Sequence, residues 1–159
     1  MSDVKACSFT GHRQIEDTHL ISLPGLLDRA INYVYGEGCR DFYLGGAVGF
    51  DTLAAQRVLI FRMTHPDVRL NLILPCINQA KGWNGEQQEM YLYILSEADN
   101  VEYVSEIYTR GCMQRRNRRL AQLCDVMIAY VSRGNSGASQ TVRLATEAGK
   151  TVYNLYPHL

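Results

Sequence analysis

The stretch Phe42-Tyr43-Leu44-Gly45-Gly46-Ala47-Val48-Gly49-Phe50-Asp51 constrains the fold more than any other part of the chain. Apolar residues of a short strand run into a glycine-rich turn, and the turn runs into the helical pattern Thr52-Leu53-Ala54-Ala55-Gln56-Arg57-Val58, expected to reach about Thr64. Glycines let a backbone turn tightly, and a helix N-terminus offers unpaired N–H donors and a partial positive charge. A strand, loop and helix of this kind suits a phosphate. The dinucleotide fingerprint is incomplete, because Leu44 stands where its first glycine would be, and the Gly-Lys-Ser/Thr of a phosphate-loop NTPase is absent. A packing role for Gly45, Gly46 and Gly49 therefore stays open beside the phosphate role.

A chain of 159 residues suits one domain spanning 1–159. Hydrophobic content of 47% with 20% charged residues is that of a globular protein, and zero formal net charge gives no bulk attraction to nucleic acid or an anionic membrane. Nucleic acid and membrane are accordingly not expected as partners. Met1 to Lys5 lacks the pattern of a signal peptide and no segment has membrane-spanning length, so a cytoplasmic location is expected. The five cysteines are scattered without a Cys-x-x-Cys pair, which argues against structural zinc and a disulfide framework, and no metal site is expected.

Val4 to Phe9 reads as a buried strand ending in Thr10-Gly11-His12-Arg13. In open α/β sheets the ligand crevice lies beyond the carboxyl ends of strands, so this strand delivers a hydroxyl, a glycine, an imidazole and a guanidinium to the right edge. Ser22 is placed to cap a helix with apolar residues at Leu23, Leu26, Leu27, Ala30, Ile31 and Val34, ended by Gly36 and Gly38. Further strands are expected at Arg69–Leu74, Val101–Val104, Val126–Val131 and Thr151–Leu155, with a helix over Glu86–Ala98. The polar stretch from Asn78 to Gln87 holds Trp83, which suits either a lid over the crevice or an anchor on the core.

The segment Met113 to Asp125 reads as a helix. At about 100° per residue, Met113, Asn117, Leu120, Ala121 and Cys124 form one stripe, which places an asparagine on the buried face with Arg116 flanking it. Arg115, Arg118 and Arg119 point away and are expected to be solvated. Arg116 and Asn117 are expected to face the crevice. After the strand at Val126, Ser136, Gly137 and Thr141 bring small residues and hydroxyls to another helix start, suited to an anion or, for Ser136, to ordinary capping.

Six strands alternating with helices indicate a single-domain, Rossmann-like, doubly wound α/β fold, with a mainly parallel sheet covered by helices on both faces. Ser8-Phe9-Thr10-Gly11-His12-Arg13, Gly45-Gly46-Ala47-x-Gly49-x-Asp51 with Ala54-Ala55, Arg116-Asn117 with Asp125, and the Gly137-to-Thr141 loop resemble the YpsA-like family. That family belongs to the Rossmann-like SLOG superfamily, with the DprA/Smf DNA-processing proteins and the LOG phosphoribohydrolases. The resemblance implies a nucleotide or nucleotide-derived ligand, such as an ADP-ribose or NAD-like molecule, held by Gly11, Arg13, Gly45, Gly46, Gly49, Asp51, Arg116, Asn117, Gly137 and Thr141. With the tyrosine-rich composition, it also implies a homo-oligomer.

LOG enzymes carry a Pro-Gly-Gly-x-Gly-Thr loop followed by a glutamate used to cleave an N-glycosidic bond. Here the loop is Asn135-Ser136-Gly137-Ala138-Ser139-Gln140-Thr141, no glutamate follows in place, and Glu147 lies two helical turns too late. Sugar–base cleavage needs a carboxylate to steady an oxocarbenium-like sugar or activate water. The reading is thus a ligand-binding sensor or regulatory protein. The alternatives are an N-glycosidase using Asp51 and, behind it, a DprA-like single-strand DNA surface at Arg110 to Arg119.

Overall fold

The computed structural model describes residues 5–159; the expected strand start at Val4 and the residues before it lie outside them. Six strands and five helices alternate: β1 (Lys5–Gly11), α1 (Leu23–Gly36), β2 (Cys39–Leu44), α2 (Phe50–Thr64), β3 (Arg69–Leu74), α3 (Gly85–Glu97), β4 (Asn100–Tyr103), α4 (Cys112–Leu123), β5 (Val126–Tyr130), α5 (Gly137–Glu147) and β6 (Thr151–Asn154). All strand pairs are parallel and the sheet order is β4-β3-β2-β1-β5-β6. The chain winds outward from β1 to β4, crosses back through α4, and winds the other way from β5 to β6. This is the expected doubly wound α/β sheet.

Period-two alternation gives the sheet two different faces. Cys7, Phe9, Val126, Ile128 and Tyr130 join the main core with Leu23, Leu27 and Ile31 of α1, Phe50, Ala54 and Val58 of α2, and Tyr91 and Ile94 of α3. On the opposite face Met127 packs with Ala121 of α4, Cys124 and Ala145 of α5 in a smaller core. Here Ser8 donates its hydroxyl to the Leu120 carbonyl at 2.7 Å. The two helices on that face bring their polar ends toward the site described below.

Expected and observed element bounds agree to within about three residues, the largest difference being β2, expected from Phe42 and found from Cys39, and three details differ. Ser22 holds the position before α1 without a side-chain capping bond, since its backbone is already helical. Short 3-10 turns at Asp17–His19 and Tyr156–His158 flank the sheet. Arg119 points to solvent as expected but is also paired, donating Nε to Glu102 of β4 at 2.9 Å. Among the described residues no helix is long and apolar enough to cross a membrane.

Candidate functional site

The winding reverses between β1 and β5, and where it reverses the loops leaving the two strands part and open a crevice. A cavity of about 330 Å³ occupies it, at the small end of small-molecule sites. Its walls are Thr10, Gly11, His12 and Arg13 from the end of β1, Ala47 and Asp51 after β2, Met113, Arg116, Asn117 and Leu120 of α4, and Ser136, Gly137 and Ala138 at the start of α5. Four segments far apart in sequence meet there.

Alternation along β1 turns Thr10 to the same side as Ser8, toward α4. Thr10 is buried and its hydroxyl has no hydrogen-bond partner among the described residues. His12 is tied down: its Nε2 accepts the Ser132 N–H at 2.8 Å, so the ring proton sits on Nδ1. Burial lowers its pKa from the ordinary value, and its ring meets Tyr130 and Tyr156 edge-on. Arg13 is exposed and forms no ion pair among the described residues.

The glycines serve close approach. A Cβ on Gly11 would lie 2.4 Å from the Phe50 ring, and one on Gly49, where φ is +81°, would lie 2.1 Å from the Arg13 carbonyl oxygen. The first amide of α2, that of Phe50, donates to the His12 carbonyl at 3.1 Å. Gly45, Gly46 and Gly49 therefore seat the two loops and the neighbouring side chains against one another, and none of the three lines the cavity. Gly46 (φ +70°) faces Leu74.

Arg116 is the most constrained of the arginines. It is 6% exposed, and donates from Nη1 to the Gly45 carbonyl at 2.5 Å and from Nε to Asn117 Oδ1 at 2.8 Å. No carboxylate lies within 4.0 Å of its guanidinium among the described residues. Burial and Arg13 press its pKa downward, against the opposing pull of Asp51. Leu120, Ala121 and Cys124 are buried as expected, but in the first turns of α4 Cys112 and Arg116 take the inward places expected for Met113 and Asn117. Arg116 and Asn117 both still reach the cavity.

Asp51 is 7% exposed. Its Oδ2 accepts the Ala47 N–H at 3.3 Å, and its Oδ1 is buried without a partner. Burial raises its pKa from 3.8 to about 6, outweighing Arg116, the Ala47 N–H, Arg13 and the Gly45 N–H, which all act the other way. A carboxylate and a guanidinium thus share one wall without pairing.

At the start of α5, Ser136 and Ser139 form a reciprocal capping box: Ser139 N–H to Ser136 Oγ at 3.0 Å, Ser136 N–H to Ser139 Oγ at 2.7 Å. That consumes the Ser136 hydroxyl as an acceptor and leaves the N–H groups of Gly137 and Ala138 without partners among the described residues. Thr141 is fully buried, bonds to the Gly137 carbonyl at 2.9 Å, and does not reach the cavity. Ala47 and Ala138, small apolar wall residues, carry no chemical signal that a sequence could show. Trp83 packs edge-on to Tyr91 against the main core and lies outside the cavity, as an anchor would.

The model of a known protein family, the YspA SLOG family (YpsA), matches residues 8–155. A UPF0398 protein of Bacillus thuringiensis (strain Al Hakam) is 22% identical over 134 residues, 83% of this chain and 73% of that protein. Two solved structures of DNA processing protein A have the same fold at 19% identity and a TM-score of 0.68. The one from Helicobacter pylori, described for its single-stranded DNA binding mode, is matched over 93% of this chain and 63% of its own. The one from Streptococcus pneumoniae is matched over 95% of this chain and 50% of its own. The present chain thus spans less than two thirds of either, and at this identity the likeness concerns the fold alone. The family match, running from the middle of β1 through every wall of the cavity to the end of β6, shows that the chain belongs to the YspA SLOG family.

Proposed function

We propose that the chain binds a nucleotide or nucleotide-derived phosphate ligand, of the ADP-ribose or NAD kind, as a sensor or regulatory protein. The observation that carries this reading is Arg116: a buried guanidinium on a cavity wall, with no carboxylate in ion-pair reach, beside the unpartnered Thr10 hydroxyl, exposed Arg13 and two free amides of α5. A buried cation is costly unless paired, and a phosphate supplies the pair. A thermal-shift panel of NAD, ADP-ribose, AMP, ATP and cyclic nucleotides tests it, since ligand at a hundredfold excess over Kd stabilises by about 2.7 kcal/mol. A flat panel at millimolar ligand overturns it.

One observation favours a second reading, an N-glycosidase or phosphoribohydrolase. Asp51, with its pKa raised to about 6, is the acidic group on the cavity wall, whereas Glu147 is exposed at the far end of α5. Release of free base from nucleoside monophosphates, lost in Asp51→Asn, would establish hydrolysis. The family's DNA-processing neighbours prompt a third test: salt-sensitive binding of an oligonucleotide would extend the site to single-stranded DNA. They give no support to the expectation that nucleic acid is not a partner. Homo-oligomer formation is tested by light scattering.

A further inference from the structure

We propose that Asp51 is the residue that selects a hydroxylated ligand, so that the cavity takes a ribose phosphate in preference to its deoxy counterparts. The proposal rests on the phosphate reading and deepens it. Asp51 is 7% exposed, sits on the cavity wall, and has one oxygen with no donor. A buried carboxylate accepts at about four positions; here the Ala47 N–H bonds Oδ2 at 3.3 Å and the Gly45 N–H also acts on the carboxyl, while Oδ1 has no partner. What is missing is therefore a donor.

The surroundings say which kind. Arg116 and Arg13 lie close enough to act on the Asp51 charge, so a cationic group brought to the same oxygen would meet two like charges. A metal ion would meet the same two charges, and no cluster of three His, Cys, Asp or Glu side chains suited to one exists among the described residues. A second phosphate would be repelled by the carboxylate itself. A neutral O–H satisfies both neighbours: it donates to Asp51 while the phosphate of the same molecule lies against Arg116 and the start of α5. A sugar phosphate places a hydroxyl and a phosphate a few bonds apart. A hydroxyl supplies the donor that this oxygen lacks, whereas a deoxy position supplies none.

The test is calorimetric titration of ribose 5-phosphate, its 2-deoxy and 3-deoxy counterparts, and inorganic pyrophosphate, against the wild-type chain and Asp51→Asn. The proposal expects ribose 5-phosphate to bind at least about tenfold more tightly than one of the deoxy compounds. In Asp51→Asn that preference should fall below about threefold while pyrophosphate binding persists, because the Asn carbonyl stays with the Ala47 N–H, its NH2 takes the place of the free oxygen, and the anion contacts remain. Equal affinity for all three sugars in the wild type overturns it, as does a preference that survives in folded Asp51→Asn. Should that variant not fold, Asp51→Ser takes its place; should neither fold, the wild-type comparison decides. Pyrophosphate binding without ribose 5-phosphate binding sinks the Asp51 role and spares the phosphate reading. No binding of any of the four sinks both.

Discussion

The Arg116 guanidinium reaches from α4 to the carbonyl of Gly45, 71 residues earlier, and bonds to it at 2.5 Å. Gly45 has no side chain because that guanidinium lies where one would be: a Cβ there would stand 2.5 Å from Nη1. The glycine loop of β2 and the arginine of α4 are therefore one unit.

Arg116→Ala should abolish phosphate-ligand binding, whereas Arg118→Ala, at an exposed position, should leave it almost unchanged. A charge-assisted hydrogen bond is worth about 1.5–3 kcal/mol, and a solvated surface charge little. Titrations of both variants with the best ligand of the nucleotide panel check this, with the unliganded melting temperature separating lost binding from lost folding. Equal losses from the two would place the ligand on the outer face of α4.

Substitution of the glycines should split into two outcomes. In Gly45→Ala the atom to be displaced is the end of a side chain, so the fold should persist while Arg116 leaves its position and binding falls. In Gly49→Ala the added Cβ meets the backbone of Arg13 at φ +81°, and neither can yield cheaply. Chemical denaturation should show a loss of roughly 2–5 kcal/mol for Gly49→Ala, and a smaller one for Gly45→Ala.

Asp51 makes a signed pH prediction. Its folded pKa, about 6, is raised above the ordinary 3.8. Its contribution is therefore fully present below the unfolded pKa and is lost as pH rises through about 6. The loss amounts to at most on the order of 3 kcal/mol. His12, whose pKa is lowered by burial, acts in the opposite sense, losing stability as pH falls through its folded pKa. The measurement is therefore the stability of Asp51→Asn minus wild type between pH 4 and 7: the difference should shift in favour of the variant as pH rises. A flat difference would show that the carboxylate is not buried in solution.

Ser136→Ala should cost about 0.5–2 kcal/mol of stability through loss of the α5 cap. It should weaken ligand binding by less than tenfold, because the free N–H groups belong to Gly137 and Ala138. Thr141→Val should leave binding intact, since its hydroxyl is spent inside the helix.

Much of the fold was legible because each element carries its own period: apolar runs for β3 and β5, the 3.6-residue stripe for α1, glycine just past α1 and α5. The strand order was not, since nothing local in β5 says that its partner is β1. The same limit explains α4. Helical spacing from Met113 to Leu120, Ala121 and Cys124 carries Asn117 onto the stripe, yet in the first turns the buried residues are Cys112 and Arg116. Arg116 is held inward by its hydrogen bonds to the Gly45 carbonyl and Asn117, which hydropathy does not record. The glycines were legible as special and silent about why: whether Gly49 faces a phosphate or the Arg13 carbonyl depends on a loop 36 residues away. The 3-10 turn at Asp17–His19, which brings the His19 Nδ1 within 2.7 Å of the Tyr130 hydroxyl, is too short to show a period at all.

The position of β1 in the sheet also has a cost during synthesis. One edge of β1 pairs with β2 about 35 residues later, but the other waits for β5, with Cys7 opposite Val126. At about 5–20 residues per second, roughly 120 residues take about 6–24 s to emerge. For that interval the innermost strand of the finished protein is an open edge, with Cys7 and Phe9 on one side and the N–H and C=O groups of Ser8 and Thr10 unpaired, a template for any strand that arrives first. The nascent chain therefore depends on β5 arriving before a stranger does, and the completed crevice marks the moment at which that exposure ends.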